Sequence, residues 1–217
     1  MLVDGRQDRV DRAELSGATH STENAHLTSR RRTPMARMNT DSGGGTLSPD
    51  TIKHAFREIM DDEAKHVSFF EAALEKAGAP VRPKPTFKGL ARSNQSDFIT
   101  MAGTLENVGV AAFLLAIPAI SDKNYMAAAA SIVTIEARHA GFVNALLGKP
   151  LSENGAFDKP ISHAEVLKAA SPFIESLNGG PDPADALDDD TVILNFALLL
   201  EHLEAEFYRV NVPNLFK

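Results

Sequence analysis

Residues 52–73 read IKHAFREIMDDEAKHVSFFEAA, and one face of this stretch decides the fold. Alternating steps of four and three from Ile52 give Phe56, Ile59, Glu63, His66, Phe70 and Ala73. Residues so spaced share one face of an α-helix. Five of these seven are apolar, so the face is predicted to lie in a core and to carry Glu63 and His66 into it. Charged groups are costly to bury unless they are paired or bind metal.

The same face recurs 73 residues later as Tyr125, Ala129, Ile132, Glu136, His139, Val143 and Leu146. The local strings also match, Glu63-Ala64-Lys65-His66 against Glu136-Ala137-Arg138-His139. A second pair of stripes is offset by 95: Ile99, Ala102, Glu106, Val110, Phe113 and Leu194, Ala197, Glu201, Ala205, Tyr208. Each of these carries one glutamate at the same place.

Punctuation marks the helix ends. Ser48-Pro49-Asp50 is a start signal, with a capping serine, a first-turn proline and an acid at the positive end. The first helix is predicted to stop at Gly78. Residues 78–95 hold Pro80, Pro83, Pro85 and Gly89 and read as an irregular connection. The second helix is predicted from after Ser96 to about Leu115, and the third from near Asp122 to before Gly148-Lys149-Pro150. A second long connection, 148–187, has one short helix near Ala164–Ala170. Asp188-Asp189-Asp190 then opens a last helix reaching about Val210. No alternating strand pattern of useful length occurs. The prediction is an all-α fold, a four-helix bundle with long crossover connections over 48–217. Residues 1–47, rich in Arg, Asp, Ser, Thr and Gly and ending at Gly43-Gly44-Gly45, read as a disordered tail, with Met35 or Met38 as alternative starts.

Composition limits the chemistry. The 217 residues contain no cysteine, which excludes disulfides, thiolate zinc, iron–sulfur clusters and thiol catalysis. A net charge of -7 argues against nucleic acid or an anionic membrane as the main partner. No apolar run approaches the roughly 18–20 residues of a membrane span, the longest, near Val108–Ile120, being interrupted by Pro118. No signal peptide is visible, and the cytoplasm is the expected compartment.

A Glu and a His three residues apart on a helix can both reach one metal ion. Two such helices, with one Glu from each of two others, make a site for two divalent ions. The candidate ligands are Glu63, His66, Glu106, Glu136, His139 and Glu201, with Glu204 as the alternative to Glu201. Pseudo-symmetry favours Glu201, which aligns with Glu106, whereas Glu204 aligns with Gly109. Oxygen and imidazole donors suit Fe or Mn without choosing between them. The competing reading is a polar core bonded to itself and to water. A zinc-protease motif is set aside, since no histidine precedes Glu63 or Glu136 at the required position. Tyr125 and Tyr208 read as core aromatics with a satisfied hydroxyl, the alternative being that each bonds a ligand or takes part in redox steps. His202 reads as a surface residue, Glu206 as a solvated charge, and His54 and His163 as without a partner pattern.

Ile193-Leu194-Asn195-Phe196-Ala197 and Leu200 to Tyr208 resemble the first helix of the ferritin-like domain in desiccation-related proteins of plants and bacteria. Asp62 to Val67 resembles that family's second helix, Leu105 to Val110 its third and Ile135 to Ala140 its fourth. The resemblance implies a four-helix bundle and a candidate di-metal site, in a chain whose helix order is circularly permuted. Two other readings stay open. The last helix begins a truncated second copy, or it completes a partner chain in a domain-swapped homo-oligomer, with Glu201 acting in trans.

Two functions compete. One is a di-metal redox protein acting on a small oxidant, dioxygen or peroxide. The other is a stress or desiccation protein that acts by interaction, with any metal structural. Iron storage in a cage ranks below both.

Overall fold

The computed structural model describes residues 47–217, so the tail expected over 1–47 lies, apart from Leu47, outside the described residues. Five helices follow in order: α1 (Pro49–Ala77), α2 (Gln95–Ala116), α3 (Lys123–Leu146), the short α4 (His163–Ala170) and α5 (Asp190–Leu215). Single 3-10 turns extend α2 at Ile117–Ala119 and α4 at Ser171–Phe173.

The start signals act as read. Ser48 caps α1, its hydroxyl accepting from the Thr51 amide at 3.1 Å. Asp122 caps α3 and Asp189 caps α5, each accepting two amides. Asn94 caps α2, which puts its start just before the expected Ser96. Gly78 stops α1 at φ +67, a left-handed conformation that costs glycine nothing. The last helix runs past the expected Val210 even though Pro213 has no amide to give the ladder, and it closes where the Phe216 amide reaches the Val212 carbonyl at 3.0 Å.

α1 packs along α5, α2 along α3, and α2 also meets α5, giving a helical bundle. The two long connections are not wholly irregular. Strand β1 (Thr86–Phe87) pairs antiparallel with β2 (Ile174–Ser176) and ties one connection to the other. Strands this short leave no alternation to read in a sequence.

Gln95–Ala119 is long and apolar enough to cross a membrane, which corrects the expectation that no such stretch exists. It carries few charges, and one of them, Glu106, lies in the core. Over half of its most apolar 18-residue window is buried in the bundle, as befits a core helix.

Candidate metal centre

Each long helix crosses two apolar layers with a polar layer between them. One layer holds Phe56, Phe98, Leu105, Val143, Phe207 and Tyr208. The other holds Phe70, Leu74, Phe113, Ile132, Leu194 and Leu198. Glu63 and His66 lie between Ile59 and Phe70 on α1, and Glu136 and His139 between Ile132 and Val143 on α3. Glu106 follows Leu105 on α2, and Glu201 lies between Leu198 and Leu203 on α5. All six are buried, the glutamates at 2% exposure or less.

The six converge. Nδ1 of His66 lies 3.3 Å from Glu63 Oε2, 3.1 Å from Glu136 Oε1 and 3.3 Å from Glu201 Oε2. Nδ1 of His139 lies 2.9 Å from Glu63 Oε1 and 3.5 Å from Glu106 Oε2. Two sets of four result, Glu63, His66, Glu136, Glu201 and Glu63, Glu106, Glu136, His139, each offering four ligand atoms within 4.8 Å of one another. Glu63 and Glu136 belong to both.

Apart from the hydrogen bond between His66 Nδ1 and Glu63 Oε2 at 3.3 Å, closeness here is not hydrogen bonding. Glu63 Oε1, Glu106 Oε2, both Glu136 oxygens, Glu201 Oε2 and His139 Nδ1 are buried without a hydrogen bond. Buried polar atoms in native proteins nearly always have a partner. Atoms that crowd together yet do not align on one another are oriented as ligands of a common centre, so the donor set fits a pair of cations.

Crowding five buried carboxylates shifts their titration. Burial raises Glu136 and Glu204 well above the ordinary range, and neighbouring glutamates push them further. Burial likewise lifts Glu201 to about 8 and raises Glu106. Burial would raise Glu63 too, but the imidazoles of His139 and His66 lying against its two oxygens outweigh it and hold it at about 2. Burial disfavours charge on the histidines, yet the glutamates around them raise His139 to about 11 and His66 higher still. Without cations, protons fill their place. Two carboxylates about 4 Å apart repel by about 4 kcal/mol at an effective dielectric near 20, and only protons or cations relieve that.

The family model described as ferritin-like domain matches residues 16–149, more than half of the chain. The chain belongs to the ferritin-like domain family. No curated protein and no solved structure matches it. The matched span includes α1, α2 and α3 and ends ahead of α4 and α5.

The tertiary structure of this ferritin-like chain brings α5 to the site. Glu201 reaches His66 of its own chain. Glu204, in neither set of four, is also buried and borders an apolar cavity of about 20 Å³ together with Glu136 and Glu201. Phe70, Phe113, Ile193 and Leu194 form part of its wall. Tyr208 is fully buried and its hydroxyl is satisfied by donating to Glu106 Oε1, so the core aromatic also bonds a candidate ligand. Tyr125 packs half-buried against the apolar layer around Phe70.

Two expectations are corrected. His202 is buried, not at the surface, with Nε2 unbonded and 4.0 Å from Glu71. Burial, with Lys84 and Arg82 nearby, lowers its pKa to about 4. Glu206 is not a free solvated charge. Arg209 and Lys84 bond it, and its pKa falls to about 2. Both corrections have one cause: the connection after α1 lies against α5 and covers a face that the helical stripe assigns to solvent. His163, expected to lack a partner, meets the Pro183 carbonyl at 2.7 Å and the edge of Phe196.

Two further residues escaped the sequence reading. A Cβ on Gly109 would stand 3.0 Å from Glu136 Oε2 and 3.1 Å from Glu204 Oε1, so this glycine makes room for two carboxylates. Asp62 places Oδ2 3.7 Å from His139 Nε2. Its one signal was a position beside Glu63.

Proposed function

We propose that this ferritin-like chain is a di-metal protein of the Fe or Mn type, acting as an oxidoreductase on dioxygen or peroxide in a desiccation or related stress response. Glu63, His66, Glu106, Glu136, His139 and Glu201 would hold the two ions. The observation that carries this reading is the pair of four-residue sets sharing Glu63 and Glu136. Four ionised carboxylates balance two divalent cations and remove the repulsion just described. Glu201 is favoured over Glu204 because its Oε2 lies 3.3 Å from His66.

A bound pair of such ions supplies electrons and an open position for a small oxidant. The chain supplies the rest. The apolar layers exclude bulk water, Tyr208 holds the Glu106 carboxylate in place, and Glu204 holds a proton beside Glu136 and Glu201. The family match, residues 16–149, ends before α5, which carries Glu201, and we read α5 as standing in a permuted helix order. The bundle is then a four-helix one, with α5 in the place of the family's first helix.

The depth of the site favours a second reading. No ligand candidate is more than 8% exposed, which suits ions that are structural in a protein acting by interaction. Elemental analysis separates a metal site from none: about two ions per chain are expected after Fe or Mn loading, and fewer than about half an ion sinks the di-metal reading. Glu63→Ala with Glu136→Ala should empty the site, and metal retained through both changes would overturn the ligand assignment. Oxygen uptake, or oxygen released from peroxide, then divides the catalytic from the structural reading.

A further inference from the structure

Helices α1 and α3 match at an offset of 73, and α2 and α5 at 95. The six candidate ligands obey this symmetry, but the residues behind them break it. Behind His139 stands Asp62, whose counterpart behind His66 is Ile135. Asp62 Oδ1 accepts from Lys65 at 2.9 Å, leaving Oδ2 towards His139 Nε2 at 3.7 Å. The pocket beside His66 is lined instead by Lys65, Phe69, Ala128, Ser131, Ile132 and Ile135, with no carboxylate among them. Among the described residues no hydrogen bond or ion pair reaches its Nε2.

The second pair breaks in the same direction. Tyr208 donates to Glu106, and its counterpart by the offset of 95 is Phe113, which borders the cavity beside Glu201. Both outer groups of the set containing His139 and Glu106 therefore have a polar partner behind them, while in the set containing His66 and Glu201 apolar residues stand at both equivalent places. The apolar cavity also borders Glu201 and Glu136 but not Glu106.

We infer that the two metal positions are unequal: the one offered by His139 and Glu106 is buttressed by Asp62 and Tyr208 and fills first, and the one offered by His66 and Glu201 fills second and faces the apolar cavity. A histidine bound through Nδ1 carries its proton on Nε2, and a carboxylate facing that proton fixes the ring and strengthens the donor. A phenol donating to one oxygen of Glu106 likewise fixes the other towards the ion. Asp62 and Tyr208 are positioning residues, and the second position is where a small apolar reactant can approach. This inference rests on the di-metal reading above.

The test titrates the metal-free full-length chain with manganese(II) chloride, followed by calorimetry and by the electron paramagnetic resonance of bound ion. Two steps are expected, the first tighter by about tenfold or more, in line with the 10–100-fold worth of such outer contacts. Asp62→Asn should weaken the first step by about tenfold, leave the second in place and be rescued by Asp62→Glu. Asp62 is partly exposed, so this variant should fold, which circular dichroism checks. Tyr208→Phe should weaken the same step. Glu201→Gln should abolish the second step and spare the first, and Ile135→Asp should tighten the second. Two equal steps, or an Asp62→Asn variant that shifts both steps alike or neither, would overturn the inference while leaving two ions bound. No manganese bound at all would overturn the di-metal reading together with it.

Discussion

The two oxygens of Glu63 lie against different histidines, 3.3 Å from His66 and 2.9 Å from His139, and the charges packed around it govern how the site responds to pH. In the metal-free protein His139 is raised to about 11, so it adds stability that is complete below its unfolded pKa and lost as pH climbs towards 11. Glu201, raised to about 8, takes up protons on folding and costs stability as pH rises from its unfolded value through 8. Glu63, held at about 2, gives stability that is complete above its unfolded pKa and lost as pH falls towards 2. The melting temperature of the metal-free chain should therefore fall between about pH 6 and about pH 9, while ion affinity rises over the same range because ions displace protons. Paired melts with and without Mn(II), and acidification on loading in weak buffer, check both signs. Gly109 offers a steric test at the same scale. Gly109→Ala would drive a methyl against two carboxylate oxygens and should cost about 1–3 kcal/mol by urea unfolding, with weakened metal binding. Gly141→Ala, whose Cβ would meet nothing nearer than 3.7 Å, is the control and should leave metal binding unchanged.

At the scale of elements, the helices were legible and their coverings were not. Ser48, Gly78, Asp122 and Asp189 mark helix ends because capping is local chemistry, satisfied by groups a few residues away. The path of the connection after α1 is set by distant partners. Asn195 on α5 accepts the Arg82 amide at 2.9 Å and donates to the Pro80 carbonyl at 2.9 Å. Asn211 accepts the Arg92 amide at 2.7 Å and donates to the Leu90 carbonyl at 3.0 Å. These two asparagines carry the connection along α5, and that is what buries His202 and engages Glu206. Asn195→Ala would strand a buried amide and a carbonyl at once and should cost about 1–3 kcal/mol. The loss should appear as a lower urea midpoint with the helical content unchanged. A sequence read one helix at a time cannot foresee it, since the partners lie 113 and 115 residues apart.

For the whole molecule, the polar layer is both the weakest and the most adaptable part of the core. Phenylalanines at 56, 98 and 207 on one side, and at 70 and 113 on the other, are buried. Each such side chain contributes on the order of 1.5–3 kcal/mol by leaving water. Between them lie buried carboxylates whose desolvation opposes folding. Ions that bind only the folded chain should reverse that term. At an ion concentration about 100 times the dissociation constant, the gain is about 2.7 kcal/mol. A chelator should lower the melting temperature of the loaded protein accordingly, and a melting point indifferent to chelation would argue against a metal centre in the core.

The helical class, three of the helix starts and the buried stripes that carry Glu63, His66, Glu106, Glu136 and His139 were legible in the sequence alone. Periodicity and capping act over a few residues and leave a mark at fixed spacing. The two offsets, 73 and 95, also placed Glu201 beside Glu106 in kind. Whether α5 meets the other helices, that Glu204 joins the buried carboxylates, that Gly109 clears space for them and that Asp62 and Tyr208 back one half of the site were decided by the tertiary structure. Each of these depends on groups from different helices meeting in space, and such contacts leave no periodic trace in the chain.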